Sequence, residues 1–96
     1  MTREGQLILR VPDDIAVFLK KCHPLIKSHI RSGLQSILDN PHIGKALKDE
    51  LRGLRSHRVK RYRIIYRVNA ERQHIEIVTS GPRSIIYEET FRLLHK

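Results

Sequence analysis

Seven cationic side chains (Arg52, Arg55, Arg58, Lys60, Arg61, Arg63 and Arg67) fall between Leu51 and Val68 without one Asp or Glu among them. A second group, Arg83 and Tyr87, follows the Gly81-Pro82 break. A guanidinium is a planar fork that matches phosphate, so unneutralised arginines on one surface suit an anion. Tyrosine is a poor base at neutral pH, but neighbouring cations favour the phenolate and bring its pKa down. Together these residue types could cleave a phosphodiester without metal, His or carboxylate. Such a reaction needs a base for a ribose 2′-hydroxyl, a proton for the departing 5′-oxygen and positive charge around the transition state. On residue types alone, Tyr87 fits a packing or stacking role equally well. The cationic run also fits an acidic protein partner or an idle solvated face.

The elements that must position these groups begin with a hairpin. Arg55–Val59 and Tyr62–Val68 flank Lys60-Arg61, which predicts a two-residue turn pairing Val59 with Tyr62 and Arg58 with Arg63. Alternation then sends Val59, Tyr62, Ile64 and Tyr66 toward a core and Arg58, Arg63 and Arg67 to the other face. Ile65 falls on the charged face, against the pattern. Two guanidiniums directly opposite each other repel by roughly a few tenths of a kcal/mol, and an anion between them reverses the sign. The next strand spans His74–Ser80 and is broken by Gly81-Pro82. Ile85–Leu94 forms a short final strand or helix.

Before the hairpin, Gln6–Val11 reads as a strand that Pro12 stops. Ile15, Phe18, Leu19 and Cys22 recur at helical spacing after Asp13 and Asp14, which suit a helix N-terminus. His23-Pro24 opens a second helix with the stripe Ile26, Ile30, Leu34, Ile37 and Leu38, closed by Asp39-Asn40-Pro41. Residues 42–53 form a connector with a helical turn through Leu47 and Leu51. The two stripes need a common apolar partner, which is the sheet. The expected class is α+β in the order β-α-α-β-β-β, a small antiparallel sheet packed against an N-terminal helical hairpin.

Ninety-six residues with 40% apolar content make one domain, 1–96, with a single small core. The net charge of +9 favours a polyanionic or acidic partner. One cysteine, Cys22, excludes an internal disulfide and fits a reducing cytoplasm. No run is long and apolar enough for a membrane span, and the N-terminus lacks a signal-peptide pattern. The six histidines are scattered without the paired spacing of a zinc site, so neither metal nor cofactor is expected.

The segments L-R-G-L at 51–54, R-V-K-R-Y-R-I-I-Y at 58–66 and G-P-R-S-I-I-Y at 81–87 resemble the RelE/ParE superfamily of bacterial type II toxin–antitoxin toxins. The resemblance extends through the element order over nearly the whole chain. It implies a RelE-like fold and, for RelE-like members, a ribosome-dependent endoribonuclease that cuts mRNA by 2′-hydroxyl attack. Carried over by motif, the catalytic set is Arg58, Arg63, Arg83 and Tyr87. Lys60 joins Arg58 in electrostatic positioning, and Arg55, Arg61 and Arg67 extend the RNA-binding surface. The implied partners are mRNA on the ribosome and a cognate antitoxin, acidic and encoded adjacently. ParE-like members share the fold and instead poison DNA gyrase, and a non-catalytic nucleic-acid-binding domain is a third reading. Three departures stand out. Pro82 occupies a position where many nuclease members have His, Lys60 replaces the family's turn glycine, and the loop before Arg63 is shorter than in the best-known RelE proteins.

Overall fold

The computed structural model describes residues 8–82, 86, 90, 92 and 93. Strand β1 (Ile8–Arg10) leads into helices α1 (Asp13–Lys21) and α2 (Pro24–Asp39). Strands β2 (Lys45–Ala46), β3 (Arg55–Val59), β4 (Tyr62–Asn69) and β5 (His74–Pro82) follow, with a 3-10 turn at Asp49–Leu51 between β2 and β3. They form one sheet in the order β1-β5-β4-β3-β2. The expected α+β class therefore stands, with one strand added and the antiparallel sheet corrected to a mixed one. The connector supplies a fifth strand, β2, antiparallel to β3, and β1 joins the far side of the sheet parallel to β5.

The helical stripe of α2 packs on the sheet as its spacing predicts. Ile30, Leu34 and Ile37 bury against Ile64, Tyr66, Ile75 and Ile77, with Ile26 and Leu38 at the margin. Gly33 brings α2 this close to the sheet. A Cβ there would overlap Val59 Cγ2 and sit 2.9 Å from Ile64 Cδ1. On α1, Ile15 is buried and Leu19 packs against the core, whereas Phe18 stays 37% exposed. The α2 N-terminus is capped by His23, whose Nδ1 accepts from the Leu25 amide at 3.0 Å, and Pro24 follows where its missing N–H costs nothing.

The β3–β4 register is the one that the two-residue turn requires, Val59 opposite Tyr62 and Arg58 opposite Arg63. Lys60 takes φ of 58°, the left-handed region in which a glycine would be unstrained. Strand β5 runs on through Gly81 and Pro82, where the sequence suggests a break; they pair with Arg63 and Tyr62. Strand β1 reaches only as far as Glu76 on β5, so the missing Pro82 N–H falls where no further strand needs it.

The outer face of the sheet, away from the helices, has a core of its own. Leu54, Ile65 and Ile86 are buried together, with Leu47, Leu51 and Val78 packed around them. Ile65 is thus not a blemish but the floor of this second cluster. Ile86 comes from the C-terminal segment, where the described residues are helical and Thr90 Oγ1 donates to the Ile86 carbonyl at 2.7 Å. A bulge accompanies the change of face. Ile65 pairs with Thr79 but Tyr66 pairs with Ile77, so Val78 is the extra residue on β5. Among the described residues, no helix is long and apolar enough to cross a membrane.

Candidate functional site

On the outer face at the β3–β4 turn, Arg58 and Arg63 stand as direct cross-strand partners. Arg58 is exposed, and its Nε donates to the Lys60 carbonyl at 3.3 Å, which ties it to the turn. Arg63 is half-buried. Its Nη1 reaches Ser56 Oγ at 3.4 Å, and its Nε is enclosed without an acceptor. Among the described residues the single ion pair lies elsewhere, so neither guanidinium has a carboxylate to neutralise it. Lys60 and Arg61, exposed at the turn, add two cations beside them. Such a cluster lowers the cost of bringing a phosphate to this end of the sheet, because the anion relieves the repulsion between Arg58 and Arg63.

The remaining cationic residues separate from this cluster. Arg55 shares the parity of Val59 and lies on the helix face, where its Nη1 donates to the Gly44 carbonyl at 2.7 Å and more weakly to that of His42 at 3.4 Å. It braces the loop after α2 and is not brought together with Arg63. Arg67 is on the outer face, but its Nε meets Glu76 Oε1 at 3.0 Å. The bulge makes this pairing possible: carried on without it, the register that sets Ile65 opposite Thr79 would put Arg67 opposite Ile77 instead. Between Arg63 and Arg67, Ile65 lies buried in the outer cluster with Ile86 and separates the two ends of the face. Arg83 and Tyr87 lie outside the described residues. The strand that leads to them ends at Pro82, with Gly81 opposite Arg63.

Two titratable groups respond to this architecture. His57, on the helix face of β3, has its pKa lowered, first by burial and then by the Arg63 charge. Burial raises the Tyr66 phenol above its ordinary range, only partly offset by its hydrogen bond with Gly44 and the Arg55 charge. That hydroxyl accepts from the Gly44 amide at 2.9 Å and donates to the Pro41 carbonyl at 2.7 Å. Tyr66 is therefore a clamp on the 41–44 loop, in keeping with its core position in the alternation. Ser56, 1% exposed beside Arg63, is a site neighbour that the sequence pattern did not single out. Its only advance signal is its parity with Arg58.

A basic outer face on a sheet backed by two helices defines a class of small α+β proteins, and comparison with known proteins places the chain within one family. The family model of the ParE toxin of the type II toxin–antitoxin system parDE matches residues 8–87, and the chain belongs to that family. Toxin RelE of Mycobacterium tuberculosis (strain ATCC 25618 / H37Rv) is 38% identical over 52 residues, which cover 53% of this chain and 54% of that protein. The match thus spans about half the length of this curated relative. Among solved structures, the toxin–antitoxin complex RelBE2 of M. tuberculosis aligns with a TM-score of 0.71 at 26% identity, covering 81% of this chain and 99% of the other. The free E. coli toxin RelE, in a doubly substituted form, aligns with a TM-score of 0.72 at 16% identity over 91% of this chain and 92% of its own, a likeness of fold alone. The superfamily expected from the motifs is therefore the right one.

Proposed function

We propose that this toxin is a ribosome-dependent endoribonuclease that cleaves mRNA without a metal ion. The observation that carries the reading is the Arg58–Arg63 pair: two cross-strand guanidiniums with no carboxylate partner among the described residues. An arrangement that repels itself when empty is stabilised by a phosphate, and this is the geometry that electrostatic catalysis of phosphoryl transfer asks for. In the proposed reaction the ribose 2′-oxygen attacks phosphorus and the bond to the 5′-oxygen breaks. The products are a 2′,3′-cyclic phosphate and a 5′-hydroxyl. Arg63 balances the charge that develops on the phosphate oxygens, with Arg58 and Lys60 positioning the strand. Arg83 stabilises charge or protonates the leaving oxygen, and Tyr87 acts as base or as a stacking platform for a nucleobase. The exposed Arg61 extends the RNA contact at the turn.

The partner proposed for neutralisation is a cognate antitoxin, an acidic protein encoded beside the toxin. Solved relatives support it, since the M. tuberculosis RelBE2 structure and the intact E. coli RelBE structure are toxin–antitoxin complexes. A second reading, inhibition of DNA gyrase, draws on the matching family model being that of a ParE toxin. Induced expression separates the two. The nuclease predicts translational arrest with codon-positioned mRNA cuts that are largely lost in Arg63→Ala, and in Tyr87→Phe where Tyr87 is the base. An SOS response with intact transcripts would overturn it in favour of gyrase.

A further inference from the structure

On the far side of the Ile65–Ile86 ridge, Arg67 lines a groove of about 850 Å³ over β1, β5 and β4. Arg10 on β1 and Arg67 on β4 are both cross-strand partners of Glu76, and Asp13 closes one end, so two cations meet two carboxylates. In this charge-balanced groove Glu76 fixes the direction of the Arg67 guanidinium, and the same contact cancels its charge. Arg63 faces the opposite demand. An arginine that meets a developing anion must be oriented before the reaction and must keep its charge for it. A long side chain left without a contact would pay its rotamer entropy when the substrate arrives. A neutral acceptor satisfies both requirements.

The neutral acceptor beside Arg63 is Ser56 Oγ, which Nη1 reaches at 3.4 Å. Alternation puts Ser56 on the outer face with Arg58, and its cross-strand partner Ile65 makes it the diagonal neighbour of Arg63, within reach of a long side chain. Ser56 is 1% exposed, and β2 holds it from the other side, where Lys45 pairs with it. Its hydroxyl is therefore fixed by strands on both flanks, and the guanidinium settles on it rather than the reverse. A hydroxyl offers acceptor lone pairs and carries no charge, so it orients Arg63 without taking what Glu76 takes from Arg67. Arg63 Nε is enclosed with no acceptor, so the guanidinium is not caged by other hydrogen bonds that would hold it in the absence of Ser56.

We infer that Ser56 is a positioning residue of the cleavage site: its hydroxyl orients the Arg63 guanidinium toward the phosphate and leaves its charge undiminished. The inference rests on the endoribonuclease reading. At 3.4 Å the bond is long, and bonds of this kind tighten once a substrate is in place. The role extends to β2, a strand of two residues whose pairing at Lys45 secures Ser56 from the side away from Arg63.

The test measures single-turnover mRNA cleavage on isolated ribosomes, with toxin in excess, for wild type, Ser56→Ala, Arg63→Ala and the double variant. The inference expects Ser56→Ala to lower the maximal rate by about tenfold, with the half-saturating toxin concentration within about twofold of wild type. In the Arg63→Ala background the same substitution should cost less than about twofold, because a residue that acts through Arg63 has nothing left to orient. Ser56→Cys, which nearly keeps the shape and offers only a weak acceptor, should lose as much as Ser56→Ala. The Nε–H resonance of Arg63 should report a more mobile guanidinium in both folded variants. A wild-type cleavage rate in Ser56→Ala and Ser56→Cys, a loss in the Arg63→Ala background as large as in wild type, or an Arg63 Nε–H order parameter that neither substitution changes would overturn the positioning role and leave the nuclease reading intact. Wild-type toxin that leaves ribosome-bound mRNA uncut would overturn both.

Discussion

At the hairpin end of the outer face, Arg58 and Arg63 face one another with no carboxylate partner among the described residues; four residues further along β4, about 13 Å at strand spacing, Arg67 shares Glu76 with Arg10 as the other cross-strand neighbour. The residue type is the same at both ends, and its company differs. Backbone register decides which: the two-residue turn sets arginine opposite arginine, and the bulge at Val78 sets glutamate opposite arginine. An unneutralised pair holds electrostatic free energy that only an anion can release. A neutralised row has no such reserve and contributes shape. Counting charge along β4 would rank Arg63 and Arg67 alike, and the sheet separates them.

The strongest way to break this contrast is Arg63→Ala. If the hairpin end is the catalytic end, mRNA cleavage on isolated ribosomes falls by about 10²–10³-fold, the usual loss for a donor aimed at developing charge. Arg67→Ala lowers it by less than about threefold, since it removes only a partly exposed, salt-bridged residue. Equal losses for the two variants would erase the distinction between the ends. Stability should move the other way at the hairpin, because removing one of two facing guanidiniums relieves their repulsion.

A subtler change gives the hairpin end the company that Arg67 already has. Arg58→Glu places a carboxylate directly opposite Arg63. RNA affinity is expected to fall by about tenfold, with a shallower dependence on salt because fewer counterions are released. Thermal stability rises by about 0.2–1 kcal/mol, the range for an opposite-charge cross-strand pair. Filter binding across a salt series and a denaturant titration read the two effects. Loss of affinity together with loss of stability would mean that Arg58 is held by something other than its cross-strand relation.

The parts of this architecture that were legible in the sequence are those fixed by short-range geometry. The turn length at Lys60-Arg61 and the alternation on either side were enough for the Arg58–Arg63 pairing, and a single helical stripe was enough for α2. What escaped depends on contacts distant in sequence. Strand β2 has two residues and no alternation, and it exists through pairing with Arg55 and Ser56. Ile65 looked misplaced because Ile86, the residue seated with it, comes from the C-terminal segment. The Arg67–Glu76 pair needs a bulge that no local motif announces. Arg55 is a different case. Its parity with Val59 already assigned it to the helix face, and placing it on the RNA-binding surface set that parity aside. Arg83 and Tyr87 remain carried by motif alone.

A smaller effect is expected from pH, and it too distinguishes the two ends. His57 lies next to the hairpin cluster, where burial first and the Arg63 charge second hold its pKa below the ordinary imidazole value of about 6.5. The unfolded chain therefore binds this proton more readily than the folded one. As pH falls below about 6.5, the folded state loses stability until His57 itself titrates in the fold, and stability is regained as pH rises. The half-buried position limits the effect to less than about 1 kcal/mol. Unfolding midpoints between pH 5 and 8 should slope less in His57→Gln than in wild type, and the wild-type slope should weaken in Arg63→Ala, which removes the second cause and leaves the first.

The smallest expected effect concerns Glu76. Glu76→Gln releases Arg67 and turns a charge-balanced groove into a cationic one, which copies the hairpin condition at the opposite end. The ion pair is partly exposed, so its loss costs about 0–1 kcal/mol of stability. If company rather than residue type decides what each arginine does, this variant should bind single-stranded RNA severalfold more tightly, with a steeper salt dependence. Cleavage should stay unchanged, because the new cations lie across the Ile65–Ile86 ridge from Arg63. A variant that gained cleavage as well as affinity would show that the two ends act on one substrate path, with the ridge no barrier between them.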